Sequence, residues 1–290
     1  MKKYTLFIFI FFLSTILVTS LFAYDDDYDE SDDAGSPPIK VYPINNDVTL
    51  IPSVKIQYGK SRVVVKSVYP LLSSEEGDER VEAFNSLVTE LIQDEVTAFQ
   101  QQVADNKEMQ KSLPKSVPIK NDLNIDFAAS VLNTVSHPIL SVRFNIQGYL
   151  AGMAHPYHHY RVINYDLDSS QQITLNELFK PSVNYLSFFS DYAKQILSKQ
   201  LKSNNFFIEG TSPFPSHYQT WNLSPSGILI TFEEAQVAPS VYGSQTILVP
   251  YSALSDLISP ESLLAECLKH KKRCLRNNVL TGGFMDLDSI

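Results

Sequence analysis

The chain has 290 residues, of which 44% are hydrophobic and 19% charged, and its formal net charge is −9. Lys and Arg are not clustered widely enough to neutralise a phosphate backbone, which excludes a nucleic-acid partner. One dense basic segment, Lys269 to Arg273, is typical of a solvated helix end, with docking of a partner as the alternative.

Residues 1–23 have the layout of a secretory signal peptide. Lys2 and Lys3 precede an apolar run from Leu6 to Val18, and Ala23 is a small residue at the expected cleavage point. The apolar run approaches the roughly 20 residues that span a bilayer, so an uncleaved anchor is the alternative. We therefore expect a periplasmic or secreted protein, attached to a membrane only if the signal segment is uncleaved.

Residues 24–38 are predicted to form a disordered acidic leader. Seven carboxylates lie between Asp25 and Asp33, and such a run repels itself and buries nothing. Calcium binding is the alternative, but the glycine and final glutamate of an EF-hand loop are missing at their spacing.

Residues 39–120 are predicted to form an N-terminal α+β subdomain. Strand-like runs lie at Lys40 to Tyr42, Val54 to Tyr58 and Ser61 to Tyr69. An amphipathic helix follows from Asp78 to Val103, because its apolar residues recur at spacings of three and four. Lys107 to Lys120 contains two prolines and is predicted to be a loop.

Residues 121–274 are predicted to form a second α+β domain. Residues near 123–127, 142–146 and 157–167 alternate apolar and polar positions, which indicates antiparallel strands, and the chain returns as a hairpin into residues 173–175. A second amphipathic helix is expected from Pro181 to Leu201. Three more strands are expected at Trp221 to Leu223, Ile228 to Phe232 and Thr246 to Val249. Ser259-Pro260 favours a helix start, and 275–290 is an irregular tail.

Two groups of short motifs lie in this second domain. They are Gly152-Met-Ala-His-Pro156 with Leu175-Asn-Glu-Leu-Phe179, and Gly227-Ile-Leu-Ile-Thr-Phe232 with Val237-Ala-Pro239, Gly243 and Val249-Pro-Tyr251. Together they resemble the extracellular domain of unknown function shared by the lysozyme-sensing anti-sigma factor RsiV and PdaC-type peptidoglycan deacetylases. Tyr69-Pro70 and Asn85 resemble the N-terminal half of the same regions. The resemblance implies an α+β fold, with mostly antiparallel sheets and helices packed on one face, and a non-catalytic envelope module.

The segment His155-Pro-Tyr-His-His159 is the first candidate for chemistry, because three imidazoles within five residues are able to bind zinc or act as a base. On a strand, however, His158 and His159 face opposite sides, and no cysteine is near to complete a zinc site. The helical H-E-x-x-H pattern is also absent. We therefore expect no metal and no cofactor, and a hydrogen-bonded loop histidine or a ligand contact instead.

Other polar and aromatic side chains are candidates for ligand contact. The full candidate set is His155, Tyr157, His158, Tyr160, Asn164, Glu233 and Tyr242. Aromatic rings stack on glycans or anchor protein partners, although core packing explains such residues more often. Glu233 and Glu234 are adjacent and are interpreted as two solvated acids, because neighbouring strand residues face opposite ways.

Cys267 and Cys274 are the two cysteines of the chain. In a continuous helix they would lie about 10.5 Å apart along the axis, so a disulfide requires the helix to end between them. A disulfide and two free thiols both stay open.

The function expected from the resemblance is that of an exported cell-envelope module without catalytic activity. It is expected to recognise a lysozyme-like protein or a peptidoglycan fragment through the sheet edge near His155 and Tyr157. The alternative is an envelope esterase or peptidoglycan-acting hydrolase with His155 as the base. No G-x-S-x-G nucleophile motif supports that alternative, and no catalytic residue is assigned.

Overall fold

The computed structural model describes residues 41–74, 77–133, 138–202, 209–265, 268 and 279–281. By its contacts the chain divides into residues 1–38 and residues 39–290, and every described residue belongs to the second unit. The predicted signal peptide and leader, Cys267 and Cys274 lie outside the described residues. None of the described helices has both the length and the apolar character needed to cross a bilayer.

Within the described residues, eight strands form one large sheet. They are β1 (Tyr42–Pro43), β2 (Val48–Gly59), β3 (Val63–Ser74), β4 (Asn121–Asn133), β5 (Pro138–Tyr149), β6 (Tyr157–Asp166), β7 (Gln171–Gln172) and a last strand, β11 (Val279–Thr281). Strands β1 to β7 lie side by side in chain order, and β11 pairs with β4. All neighbours are antiparallel except β3 and β4, which are parallel.

The strand β11 lies inside the segment that was expected to be an irregular tail, so that expectation is wrong for residues 279–281. Strand β3 pairs with β4 only between Asn121 and Ile125, so β3 does not cover the next part of that edge of β4. β11 pairs there, with Ala128 to Ser130. A strand edge of this kind is stabilised by any short segment that supplies backbone hydrogen bonds.

Helix α1 (Glu79–Asp105) covers one face of the large sheet. It begins after Asp78, whose side chain accepts the N–H of Arg80 as an N-cap. Its apolar stripe, including Phe84 and Phe99, is buried in a core with Phe127 and Phe144. The prediction of a loop from Lys107 is wrong for six residues, because α2 (Lys107–Ser112) continues the helical path before Pro114.

A second, three-stranded sheet contains β8 (Trp221–Leu223), β9 (Gly227–Phe232) and β10 (Gln245–Pro250), all antiparallel. Helix α3 (Tyr185–Gln200) and the short α4 (Tyr251–Leu254) pack with it around a second core. The three strands lie where the sequence predicted them, at Trp221 to Leu223, Ile228 to Phe232 and Thr246 to Val249. Residues 260–264 form turns and a bend, and helical backbone begins only at Ala265, later than Ser259-Pro260 favoured.

Polar side chains join the two sheets. Ser141 on β5 accepts hydrogen bonds from Asn222 Nδ2 at 3.0 Å and from the N–H of Leu223 at 2.8 Å. Its own hydroxyl donates to Asn164 Oδ1 at 2.6 Å, and Asn164 Nδ2 donates to the carbonyl of Trp221 at 3.0 Å. These contacts explain why β5 is buried on both faces despite its polar residues.

The fold class predicted from the sequence, α+β with mostly antiparallel sheets, is confirmed. The large sheet takes strands from both sides of residue 120, since β3 and β4 are neighbours. The division into subdomains at that residue stays a prediction.

Candidate functional site

A groove runs along β6. Two cavities of about 550 Å³ and about 490 Å³ share Val162, Gln172 and Gln219 in their walls, so together they form one elongated depression. We call it the β6 groove. Cavities of this size are in the range that binds ligands.

The β6 groove exists because one edge of β6 is only partly paired. Strand β7 pairs with Tyr165 and Asp166, and the N–H of Ile173 donates to the carbonyl of Asn164 at 2.7 Å before the chain turns away. In a strand, residues two apart direct their N–H and C=O to the same side. The backbone groups of Val162 and Tyr160 therefore face the groove, where no strand of the described chain pairs with them.

One end of the groove is acidic. Helix α1 contributes Glu90 and Asp94, which are exposed, and the turn after β9 contributes Glu233. Amide and hydroxyl side chains complete this wall, namely Gln172, Gln219, Gln236, Ser216, Thr220 and Thr231. The end therefore favours a ligand with positive charge and hydrogen-bonding groups.

The basic side chains on β6 near this end are balanced by one carboxylate. Glu95 of α1 lies 3.0 Å from His159 Nε2 through Oε2 and 3.7 Å from Arg161 Nε through Oε1. Arg161 therefore has a counterion, while Glu90 and Asp94 have no ion-pair or hydrogen-bond partner among the described residues. The acid end keeps an excess of negative charge.

Glu233 is the half-buried acid of the groove. Its Oε1 accepts hydrogen bonds from the N–H of Tyr160 at 3.2 Å and from Thr220 Oγ1 at 3.3 Å. Its Oε2 is buried and has no partner in the described part of the chain. Burial raises the pKa of Glu233 above its ordinary value of 4.5, and the hydrogen bond from Tyr160 opposes the shift.

A buried cation lies behind Tyr160. Arg143 is 2% exposed, its Cζ lies 5.1 Å from the centre of the Tyr160 ring, and its Nη1 donates to Thr231 Oγ1 at 2.9 Å. Burial lowers the pKa of Arg143, and the nearby Tyr160 and Asp126 oppose that shift. Burial raises the pKa of Asp126, against its hydrogen bond with Asn145. Arg143 therefore packs against the ring of Tyr160 on the side away from solvent.

The other end of the groove is apolar and aromatic. Its wall contains Ile173, Leu175, Tyr185, Leu186, Tyr218 and Trp221. Tyr185 stacks on Phe179 with ring centres 4.5 Å apart, and Tyr218 donates its hydroxyl to the carbonyl of Thr211 at 2.7 Å. These contacts hold the rings in place. Tyr218 and Trp221 are only 1% and 6% exposed, so the part-exposed Tyr185 is the ring available to an apolar side chain or a sugar ring.

The structure separates the histidine cluster. His155 is exposed, lies outside both cavity walls and has no hydrogen-bond partner among the described residues. His158 hydrogen-bonds Asn145 on one face of β6, while His159 reaches Glu95 on the other. Burial lowers the pKa of His158, and the neighbouring His159 adds to that effect.

The remaining candidates fall in three different places. Tyr157 is half-buried and stacks against His159 at 6.0 Å, and burial raises its pKa to about 12. Asn164 is 4% exposed and ties the two sheets together. Tyr242 is 47% exposed on the loop before β10. Of the seven candidates, Tyr160, Asn164 and Glu233 line the groove, and Tyr160 and Glu233 touch each other.

Sequence reasoning missed several groove residues. Glu90 and Asp94 are four apart on α1 and so share a helix face, but a solvated face has the same pattern. Gln172 and Gln219 belong to no sequence motif that would indicate a binding site. The interpretation of Glu233 and Glu234 as solvated acids holds for Glu234, which is exposed, and not for Glu233.

The described residues do not assemble a reactive pair in the groove. His217 is the other histidine in its wall besides His159, and its Nδ1 lies 3.1 Å from the carbonyl of Ser212 rather than from a nucleophile. Across the described ranges, no group of three His, Cys, Asp or Glu side chains is placed to hold a metal ion. The arrangement is suited to binding through hydrogen bonds, charge and stacking.

Comparison with known proteins places this region in a family context. Residues 176–252 match the family described as protein of unknown function (DUF3298). A crystal structure of a DUF3298 family member from Bacteroides fragilis has 14% identity and a TM-score of 0.51, and the alignment covers 78% of this chain and 97% of that one. The structural likeness supports the fold alone.

Two curated relatives match parts of the chain. Esterase Rv3036c of Mycobacterium tuberculosis is 30% identical over 106 residues, covering 37% of this chain and 47% of the relative. The peptidoglycan-N-acetylmuramic acid deacetylase PdaC of Bacillus subtilis is 24% identical over 196 residues, covering 67% of this chain and 38% of the relative. The matches thus span less than half the length of either relative.

Proposed function

We propose that this protein is an exported envelope module that binds, without catalysis, a lysozyme-like protein or a peptidoglycan fragment in the β6 groove. The observation that carries the proposal is the groove itself, which combines an acidic end, an aromatic end and an open strand edge. The sequence comparison adds a relative whose name refers to peptidoglycan. The N-terminal sequence supports export.

The chemistry of the walls favours binding over reaction. Binding sites for large polar ligands use many hydrogen bonds and a few fixed rings, and both are present here. The two groove histidines are engaged elsewhere, His159 with Glu95 and His217 with the carbonyl of Ser212. We therefore assign the groove a recognition role.

The test is direct binding of the mature protein to a c-type lysozyme and to a disaccharide muropeptide by calorimetry. We expect one of them to bind and the double variant E90Q/D94N to weaken that binding by about 5- to 10-fold, because two groove charges are lost. Glu82→Gln on the same helix is the matched control, since Glu82 is exposed outside the groove. Absence of binding to both ligands contradicts the proposal.

The second candidate is an envelope esterase or peptidoglycan-acting hydrolase, which the partial similarity to a protein named as an esterase favours. In the mechanism expected from the sequence, His155 is the base of this enzyme. The assay is hydrolysis of a short acyl ester and of muropeptides by the wild type and by His155→Ala. Activity that is lost in this variant, at unchanged thermal stability, would replace the binding-only assignment.

A further inference from the structure

We propose that the β6 groove accepts an extended polypeptide segment of a partner protein, which adds to β6 as a new strand and places a lysine or arginine side chain at the acidic end. This inference rests on the proposed function, of which it specifies the ligand class. It concerns the polypeptide backbone of the ligand rather than a sugar.

The backbone of β6 supplies the first argument. Tyr160 and Val162 direct their N–H and C=O groups to the groove, at a repeat of two residues or about 6.6 Å. A second polypeptide strand has donors and acceptors at the same repeat, which is why exposed edges bind extended segments. One of these N–H groups, that of Tyr160, already donates to an acceptor in the groove, the Glu233 carboxylate.

The path of the chain supplies the second argument. Strand β7 and Ile173 occupy the position beside Tyr165, Asp166 and Asn164, and the chain then departs into the turn that follows. The groove continues that line past Val162, which belongs to the walls of both cavities. An incoming segment therefore occupies the position that β7 would fill if it were longer.

The charges supply the third argument. Glu90, Asp94 and Glu233 surround the acid end, and Glu95 already neutralises Arg161. When a carbonyl of the segment accepts the Tyr160 N–H, the Glu233 carboxylate is released. Its Oε2, which lacks a partner in the described structure, then pairs with the cationic side chain of the segment.

The experiment uses a fluorescein-labelled hexapeptide of sequence Thr-Lys-Val-Lys-Val-Thr with blocked ends, titrated with the full mature protein by anisotropy. Two further peptides carry N-methyl groups, one on the odd-numbered residues and the other on the even-numbered residues. Each peptide therefore loses the N–H donors of one edge of the strand. We expect the parent peptide to bind, one methylated set to bind about 10-fold more weakly and the other within about 3-fold. A peptide with glutamate in place of both lysines should also lose about 10-fold.

Hydrogen exchange gives a readout that needs no variant. The amide of Val162 should exchange more slowly when the parent peptide is bound, because it gains an acceptor. V162P removes the backbone N–H, whereas V162A keeps it and removes only the two γ-carbons of the side chain. The proline variant should therefore bind about 10-fold more weakly than the alanine variant.

The outcomes separate the two proposals. If the peptide does not bind, if both methylated sets bind like the parent, or if Val162 exchange is unchanged, strand addition is wrong. Binding of c-type lysozyme or muropeptide that is sensitive to E90Q/D94N would in that case leave the proposed function intact. If the peptide, the lysozyme and the muropeptide all fail to bind, both proposals fall.

Discussion

Arg143 of the large sheet donates a hydrogen bond from Nη1 to Oγ1 of Thr231 in the small sheet, at 2.9 Å. Thr231 Oγ1 lies in turn 3.0 Å from Thr246 Oγ1 on β10. The junction of the sheets thus depends on directional contacts around a buried cation, which fix the two sheets in one arrangement. The outer wall of the β6 groove belongs to the small sheet and its loops, so this arrangement also sets the width of the groove.

Removing this cation should weaken the fold. We expect Arg143→Ala to lower the free energy of unfolding by about 3 kcal/mol, through loss of a charged hydrogen bond and creation of a cavity. Arg143→Met fills the space and removes a buried charge, so its loss should be less than half as large. Urea unfolding of both variants measures this, and equal losses would contradict the explanation.

Stability should depend on pH through Glu233. Because burial raises its pKa above 4.5, the folded chain holds this proton more tightly than the unfolded chain. The free energy of unfolding therefore falls as pH rises from about 4.5 through the raised pKa. Glu233→Gln removes this loss, so its stability advantage over the wild type should be present at pH 7 and vanish below pH 4.5.

The measurement for Glu233 is urea unfolding at a series of pH values. The control is Glu234→Gln, which changes the exposed neighbour and should leave the slope of the profile as in the wild type. An advantage of Glu233→Gln that grows as the pH is lowered would refute the burial argument.

Asn85 of α1 should be important for stability. Its Oδ1 accepts the N–H of Leu72 at 2.7 Å and its Nδ2 donates to the carbonyl of the same residue at 2.9 Å. We expect Asn85→Ala to cost about 2 kcal/mol, because two hydrogen bonds to β3 are lost. Gln93→Ala, an exposed change on the same helix, should cost less than about 0.5 kcal/mol. Thermal unfolding of the pair provides the comparison, and equal losses would show that Asn85 has no special role.

Gly210 should not tolerate a side chain. A Cβ at this position would lie 1.9 Å from the backbone oxygen of Gln236, whose side chain lines the groove. We expect Gly210→Ala to cost about 2–3 kcal/mol and to weaken ligand binding by displacing this turn. Gly59→Ala, where the nearest atom is 3.3 Å away, is the control and should cost less than about 1 kcal/mol. Similar unfolding midpoints for the two variants would contradict the close-approach argument.

The regular elements followed from the sequence because their signal is local. The spacing of apolar residues placed α1 at Asp78 to Val103, and the helix occupies Glu79–Asp105. Short apolar runs predicted all three strands of the small sheet. The strand β11 was not predicted, because it forms where β3 ends its pairing with β4. That position is set by residues far away along the chain, and the local sequence near residue 279 contains no pattern that indicates it.

The groove was not predictable for a similar reason. It depends on the length of β7. The sequence predicted a hairpin that returns at residues 173–175, whereas the return strand consists of Gln171 and Gln172 alone and Leu175 already begins a turn of helix. The candidate Tyr160 was chosen as an aromatic residue, whereas the structure uses its backbone N–H, which every residue except proline has. Asn85 belongs to the motif that carries the family resemblance, and its paired hydrogen bonds to Leu72 give the physical reason for an amide there.

The pairing of β4 with both β3 and β11 has a consequence for the speed of folding. This central strand has its neighbours on one edge at residues 63–67 and 279–281, both far away along the chain. Closing such long loops costs conformational entropy before the strand contacts form. Nucleation should therefore begin within the β4–β5–β6 meander, and β3 and β11 should pair with β4 late in folding.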